Sequence, residues 1–431
     1  MLNTILELLN SGKNVFLSGG AGTGKSYFSN EIIKSFKNQN KNVVALGSTG
    51  ISAVNVGGLT AHSFFRFGLS SDLNELAAHD KKQKSVLKEL YKIIEKTDLI
   101  VLDEISMISA DLFCMIALRL KSAGFKGALL FVGDFYQLAP IKNEKKNTQN
   151  SLFSGFYAFE SQEWNDFNFT NIILTSSKRT ANIEFYAMLE KIRRGICDEN
   201  TLNFIKSRIF RALPSETTWL FGINAKVNAM NAARLNSLKA PLHLLKAQLK
   251  ISDEKISENA LNRWISNISL AENLELKIGA EVMFCANKRG VYYNGERGVV
   301  REIKDDVITV AKKDDSIVEL EKISLELNEF IEDDGEILAV PRASFTQFPL
   351  RLAYAISIHK SQGMSLENFV CDINNIFAPG QLYVALSRAI SPSGLFICYN
   401  GGNLGFHIAK SLMINSSVDE FYKTLNCIKE S

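Results

Sequence analysis

The sequence predicts an α/β protein built on doubly wound parallel sheets, with a small all-β segment inserted late in the chain. Three observations predict it. Apolar runs of strand length end in glycine-rich or acidic loops, helix-period segments separate those runs, and between about residues 268 and 345 the pattern changes to short strands and turns. A length of 431 residues suits several domains at roughly 150 residues each. With 46% hydrophobic and 22% charged residues, 7 prolines and 27 glycines, low-complexity and collagen-like chains are excluded.

No run approaches the ~18 to 20 apolar residues that span a bilayer, and the start, MLNTILELLNSGK, lacks a basic stretch before an apolar one. A cytoplasmic protein without a membrane partner is expected. Cys114, Cys197, Cys285, Cys371, Cys398 and Cys427 form no CxxC pair and read as reduced core thiols. The net charge of +3 is a small difference between 49 basic and 46 acidic side chains, so any surface for a polyanion must be local.

The first strand, Val15-Phe16-Leu17, runs into Ser18-Gly19-Gly20-Ala21-Gly22-Thr23-Gly24-Lys25-Ser26, and a helix pattern continues through Lys37. This is GxxxxGK[ST] between a strand and a helix. Glycines let backbone N–H groups close around phosphate oxygens at a helix N-terminus, Lys25 reaches the outer phosphates, and the Ser26 hydroxyl can ligate Mg²⁺. A nucleoside triphosphate site is predicted, with Gly20, Gly22, Thr23, Gly24, Lys25 and Ser26 as its residues.

A second run, Asp98 to Leu102, ends at Asp103-Glu104, where carboxylates emerge at the carboxyl edge of a buried parallel strand. Asp103 can hold a Mg²⁺ hydration shell, and Glu104 can take a proton from attacking water. Without the phosphate loop the pair would read equally well as a solvated strand end. A third run, Ala128 to Val132, leads into Gly133-Asp134-Phe135-Tyr136-Gln137-Leu138. Gln137 could orient water against the γ-phosphate, or be a turn residue with no such role. Helical patterns over roughly 25 to 37, 50 to 56 and 109 to 121 separate the strands.

Asp103-Glu104-Ile105-Ser106-Met107 and Gly133-Asp134-Phe135-Tyr136-Gln137-Leu138 resemble motifs II and III of the Pif1 family, in the Pif1/RecD-like branch of superfamily 1 helicases. The likeness continues in order along most of the chain. Val44 to Asn55 and Gly57 to Phe64 are similar to motif Ia and the element after it. Leu174 to Arg179 with Arg193-Arg194-Gly195 resembles motif IV, Ser357 to Gly363 motif V, and Gln381 to Ala389 motif VI. Three features depart from the family pattern. No adenine-recognising glutamine occurs in residues 1 to 14, Thr180 stands where glutamine usually follows the motif IV arginine, and the long terminal extensions of some relatives are absent.

The resemblance implies two RecA-like motor domains: residues 1–177, with a small insertion at 69–95, and residues 178–267 with 346–431. An SH3-like insertion at 268–345 is implied in the second. The implied cofactor is Mg²⁺ with ATP as substrate. Catalytic roles fall on Lys25, Glu104, Gln137, Arg179 and Arg388, with Arg388 as an arginine finger and Gly363 beside the nucleotide. Metal contacts fall on Ser26 and Asp103.

Movement on a strand requires contacts from both motor domains. Thr49, His62, Ser63 and Phe64 on the first, and His359, Lys360 and Ser361 on the second, offer hydroxyls, an aromatic and positive charge for single-stranded DNA. By composition alone, Phe64 and Phe65 would be core and His62 a structural imidazole; the resemblance moves His62 and Phe64 to DNA and leaves Phe65 in the core.

Within 268–345, Leu276 to Met283 leads to Tyr292 to Val300 around Asn294-Gly295, a hairpin signal, followed by strands at Val307 to Val310 and Ser316 to Leu320. The acidic stretch from Asp305 to Glu336 reads as a solvated face, and Lys288 and Arg289 are better placed for a phosphate. In the insertion, Leu73, Leu76, Ala77, Val86, Leu87, Leu90, Ile93 and Ile94 follow a helical period; relatives build a duplex-splitting wedge there, and a helical hairpin packed on the sheet fits the pattern equally.

The implied activity is ATP-dependent 5′-to-3′ DNA helicase action on single-stranded and tailed duplex DNA, with G-quadruplex DNA as a further substrate. Repair, recombination or replication is the implied setting, for a monomer associated with the nucleoid. The alternative is a nucleic-acid-dependent NTPase clamp that does not unwind processively.

Overall fold

Four strands, Val15–Gly19, Val43–Gly47, Leu99–Asp103 and Ala128–Gly133, are buried along their whole length, as parallel strands covered on both faces must be. They belong to a seven-stranded sheet in a computed structural model that describes residues 1–56, 59–140, 156–210, 212–214, 217–253, 256, 258–268 and 270–429. From one edge, its strands are Cys427–Lys429, Thr170–Leu174, Val15–Gly19, Ala128–Gly133, Leu99–Asp103, Val43–Gly47 and Leu59–Thr60. All neighbours run parallel. The register sets Leu17 beside Val132 and Ile172, so strand ends bearing loops align at one edge.

Helices Lys25–Asn38 and Ala110–Ser122 follow the first and third of the central strands in sequence, within a residue of the periodicity that predicts them. Phe28, Ile32 and Phe36 of the first of these helices pack with Val15, Leu17, Val101 and Leu130 of the strands in one hydrophobic cluster.

The chain divides into two compact units, residues 1–176 with 327–342 and 415–431, and residues 177–326 with 343–414. The second contains a four-stranded parallel sheet in the order Ala355–Ser357, Thr218–Phe221, Phe369–Asp372, Leu395–Cys398. It also contains an antiparallel five-stranded sheet in the order Ile317–Leu320, Ile308–Lys312, Arg297–Ile303, Glu281–Phe284, Leu350–Leu352. The core of that sheet joins Val282, Phe284, Val300, Ile308, Val310 and Leu350.

Several expectations are corrected. Asn294-Gly295 does not close a two-residue hairpin: Glu281–Phe284 pairs with Arg297–Ile303 across a longer connection, and the dipeptide forms its last turn, with Gly295 N–H donating to Phe284 O and Gly295 at φ 94°. Leu73, Ala77 and Val86 are exposed although they fit the helical period, because helices Leu73–Asp80 and Lys84–Lys96 bury only Leu76, Leu87, Leu90, Ile93 and Ile94. Only Cys285 and Cys371 are buried thiols, and Cys197 is exposed.

The acidic stretch is not simply solvated. Its hairpin, strands Ile323–Asp333 and Glu336–Gln347, presents Glu329 to Arg66 and Arg342, and Glu332 to Lys96. Arg342 belongs to the hairpin itself, whereas Arg66 and Lys96 are far from it in sequence, within residues 1–176 of the first unit.

Candidate functional site

The helix Lys25–Asn38 begins at Gly24, whose φ of 95° is a conformation that glycine adopts at little cost. Lys25 Nζ donates to Gly19 O at 2.7 Å and Gly20 O at 3.0 Å, and Thr23 Oγ1 donates to Gly20 O at 2.9 Å. The loop is thereby curled over its own lysine, with Ser26 exposed in the first helical turn. Backbone donors, a helix N-terminus and a cation converge there, which is what a polyphosphate requires.

At the next-but-one strand end, Asp103 is 6% exposed, and its Oδ1 accepts from Glu104 N at 3.0 Å. Burial, then the Glu104 carboxylate, raise its carboxyl well above the ordinary range, while Lys25 opposes the rise. Glu104 itself has φ 55°, a left-handed backbone that a non-glycine residue adopts only when its surroundings enforce it. Gly133 leaves room for the segment that follows: a Cβ there would stand 2.9 Å from Ile105 N. Hard oxygen donors on Ser26 and Asp103, and two close carboxylates whose repulsion a cation relieves, fit Mg²⁺.

Beyond the Ala128–Gly133 strand, Asp134 organises the turn that carries Gln137. Asp134 O accepts from Gln137 N at 2.9 Å, Oδ1 from Tyr136 N at 3.2 Å and Oδ2 from Gln137 Nε2 at 3.3 Å. Asp134 and Gln137 are both buried. Ser48 N–H donates to Asp103 O at 3.1 Å, so the loop after Val43–Gly47 is tied to the carboxylate strand.

Among the proposed DNA-contacting residues of the first unit, Thr49 is engaged with Ser52 through both main chain and hydroxyl. Thr60 Oγ1 accepts from Ser63 N and caps the short helix Ala61–Phe64, which leaves His62 and Ser63 exposed. The His62 ring stands edge-on to Phe67 at 6.1 Å. Phe64 is 3% exposed and packs edge-on to Phe65 at 4.9 Å and Phe330 at 5.7 Å, so its ring is a core contact in this conformation. Gly57 and Gly58, part of the same sequence element, lie outside the described residues.

In the second unit the two arginines meet around Ser387. Arg179 donates from Nε to Ser365 Oγ at 2.9 Å and from Nη1 to Ser387 O at 2.8 Å. Arg388 donates from Nε to Val384 O, from Nη1 to Ser361 O at 3.2 Å and from Nη2 to Ser387 Oγ at 2.9 Å. Burial lowers the Arg179 guanidinium to about 10, still charged at neutral pH. Ser361 is fully buried and donates to Ile358 O, His359 is half-buried, and Lys360 is exposed. Burial also lowers the His359 imidazole below its usual value, favouring the neutral ring. Gly363 follows with φ 77° and open space where a Cβ would be.

Sequence reasoning missed the C-terminal helix Ser416–Thr424, which places Tyr422 Oη 2.7 Å from Ser18 Oγ and 3.1 Å from Phe135 N. It also missed Arg119, fully buried and paired through both terminal nitrogens with Asp80. The i, i+3, i+4 spacing of Val418, Phe421 and Tyr422 marks an apolar face but not what that face covers.

Comparison with known proteins extends these observations to the whole chain. A family model described as PIF1-like helicase matches residues 1–203. The ATP-dependent DNA helicase Pif1 of Campylobacter jejuni is 46% identical over 98% of this chain and 97% of its own. The chain belongs to the PIF1-like helicase family. The ATP-dependent DNA helicase Pif1 of Bdellovibrio bacteriovorus is 32% identical over 97% of this chain and 90% of its own. The crystal structure of Bacteroides Pif1 in complex with ADP-AlF4 superposes with a TM-score of 0.83 at 27% identity, covering 98% of this chain and 95% of that one. Bacteroides Pif1 bound to ssDNA gives 0.65, at 27% identity and coverages of 98% and 95%. Both RecA-like sheets of this helicase fold are therefore present, as the strand and loop patterns predict. Where the family's adenine-recognising glutamine would lie, this member has the helix Leu2–Asn10, with Ile5 and Leu9 in the core. Among the described residues no helix is long and apolar enough to cross a membrane.

Proposed function

We propose that this chain is an ATP-dependent DNA helicase that moves 5′ to 3′ on single-stranded DNA and separates tailed duplexes, with G-quadruplex DNA as a further substrate. Full-length relatives named as ATP-dependent DNA helicases, up to 46% identical, support the activity. The single observation that carries the chemistry is the strained, buried Asp103-Glu104 strand end in the same sheet as the Lys25 loop.

Gly20, Gly22, Thr23 and Gly24 present the loop backbone to the phosphates, and Lys25 moves from its carbonyl partners to the outer phosphate oxygens. Ser26 and Asp103 would hold Mg²⁺, which when bound would neutralise negative charge on the phosphates. Glu104 accepts the proton of the attacking water, which Gln137 orients. Arg388 and Arg179 supply positive charge to the transferred group, with Gly363 beside the nucleotide. Thr49, His62, Ser63, Phe64, His359, Lys360 and Ser361 hold the strand; for Phe64 this requires its ring to leave the contact with Phe330.

We further propose a first motor domain at 1–177 joined by the returning residues 415–431, a second at 178–267 with 346–414, an SH3-like insertion that begins at 268 and excludes 327–342, a monomeric cytoplasmic enzyme on nucleoid DNA, and a role in repair, recombination or replication. Duplexes with a single 5′ or a single 3′ tail test the reading. Strand separation with ATP and Mg²⁺ is expected from the 5′ tail alone; equal or preferential separation from the 3′ tail would overturn the polarity, and none from either would overturn the activity.

A further inference from the structure

The C-terminal helix Ser416–Thr424 lies against the nucleotide half of the first unit, and its contacts are unusually directed. The Tyr422 hydroxyl accepts the Phe135 N–H at 3.1 Å and shares a hydrogen bond with Ser18 Oγ at 2.7 Å. Ser18 is the last side chain before the phosphate-loop glycines, and Phe135 N belongs to the turn in which Asp134 holds Gln137. One oxygen atom thus ties the strand leading into the phosphate loop to the turn bearing the proposed water-orienting amide. Ser18 and Phe135 are 0% and 1% exposed, so no solvent replaces the hydroxyl if it is removed.

A second bond from the same helix reaches the same turn. Tyr136 Oη donates to Asp419 Oδ1 at 3.0 Å, and the Tyr136 and Tyr422 rings stack at 4.8 Å with their planes 12° apart. The helix itself is fixed. Phe421 stacks on Phe159 at 4.2 Å and meets Phe135 edge-on at 5.5 Å, and the following strand Cys427–Lys429 pairs in parallel with Thr170–Leu174. Asp134 holds the Gln137 turn from within, and Tyr422 and Asp419 hold it from outside. A fixed hydroxyl between two catalytic loops has a geometric consequence, because Gln137 is useful only while its amide stays aligned with the attacked phosphate.

We propose that Tyr422 is a positioning residue for ATP hydrolysis, locking the Gln137 turn to the phosphate-loop strand, with Asp419 steadying the same turn through Tyr136. The proposal rests on the reading of Gln137 as the water-orienting residue.

The test is ATP turnover at saturating single-stranded DNA in the full chain, for wild type, Tyr422→Phe, Gln137→Ala and the double variant, with nucleotide affinity measured by a fluorescent ATP analogue. Tyr422→Phe keeps the ring stack and removes only the hydroxyl. It is expected to lower kcat roughly three- to thirtyfold, less than the ~10²-fold that a misplacement of about 1 Å can cost. KM and analogue affinity stay unchanged, and no further loss appears when it is added to Gln137→Ala. Asp419→Leu, a second variant that spares the buried hydroxyl, is expected to lower kcat with the same KM signature. A wild-type kcat for Tyr422→Phe, an equal fold loss in both backgrounds, or a parallel loss of analogue affinity would each overturn the proposal. If Gln137→Ala alone retains full turnover, the role of Gln137 fails and takes this inference with it. A slow Gln137→Ala beside a normal Tyr422→Phe sinks the inference alone.

Discussion

Lys25 donates to the carbonyls of Gly19 and Gly20, two acceptors that a triphosphate outcompetes by charge. Lys25→Ala is therefore expected to lose both triphosphate affinity and turnover, checked by fluorescent-analogue titration and ATP hydrolysis; normal affinity would contradict the site. The loops carrying Lys25, Ser26, Asp103 and Glu104 were legible as strand ends because each is a contiguous run directly after a buried strand. Tyr422 was not, since its partner Ser18 is 404 positions away and no local pattern encodes a hydroxyl that bridges two loops. Phe64 shows the limit from the other side: its residue type suggested core and the family resemblance suggested stacking on a base, and in this conformation packing against Phe65 and Phe330 places the ring in the core. The strain at Glu104, too, is invisible in sequence, because the glycine that leaves room for Ile105, Gly133, lies on another strand.

The insertion helices are held to the body of the first unit by one buried cation. Arg119 bonds both oxygens of Asp80 at 2.6 and 2.7 Å and reaches Phe65 O at 3.0 Å, so it ties helix Leu73–Asp80 to the segment that follows His62 and Phe64. Removing Asp80 would leave the guanidinium buried with only the Phe65 carbonyl and a long contact of 3.4 Å to the Tyr91 hydroxyl. Asp80→Ala is expected to cost ~3 kcal/mol, the low end of the range for breaking a buried pair, because the carboxylate is itself partly exposed. Burial pushes the Asp80 carboxyl up, but the Arg119 contacts outweigh it and the net shift is downward. Its contribution is thus whole above the unfolded value near ~3.9 and is lost as pH falls through the folded one. Thermal melting of wild type and Asp80→Ala should differ at pH 7 and converge as the carboxyl protonates; a gap independent of pH would contradict the ion pair.

Strands Val15–Gly19, Leu99–Asp103 and Ala128–Gly133 and the helices Lys25–Asn38, Gly50–Asn55 and Ala110–Ser122 were legible to within a residue or two, because burial on both faces leaves continuous apolar runs. The hairpin Ile323–Asp333 and Glu336–Gln347 was not, since charge usually means solvent, and the partners Arg66 and Lys96 lie elsewhere in the chain.

At the scale of the molecule, the chain passes between its two units after residues 176, 326, 342 and 414. The order of motifs along the sequence was readable, because each motif is a short contiguous segment, a strand end with its loop or, for Gln381 to Ala389, a helix. The return of residues 415–431 to the first sheet was not, because a short edge strand carries little periodicity. The residues proposed to hold the strand offer little net charge, so the expected salt sensitivity comes from few contacts. Single-strand affinity is expected to fall with rising salt, with log K declining by about 0.7 per neutralised phosphate on log salt. Lys360→Ala should flatten that slope by about one such unit, read from titrations at several salt concentrations; an unchanged slope would remove Lys360 from the strand contacts.

The central claim is that hydrolysis at the Asp103-Glu104 strand end powers strand separation, and Glu104→Gln addresses it most directly because it removes the base while keeping size and shape. Unwinding of a 5′-tailed duplex should be measured beside ATP turnover and nucleotide affinity in this variant. The expected result is intact binding of ATP and DNA, turnover slowed by ~10² to 10⁴-fold as loss of a general base implies, and unwinding lost in proportion. Unwinding at the wild-type rate would contradict the claim.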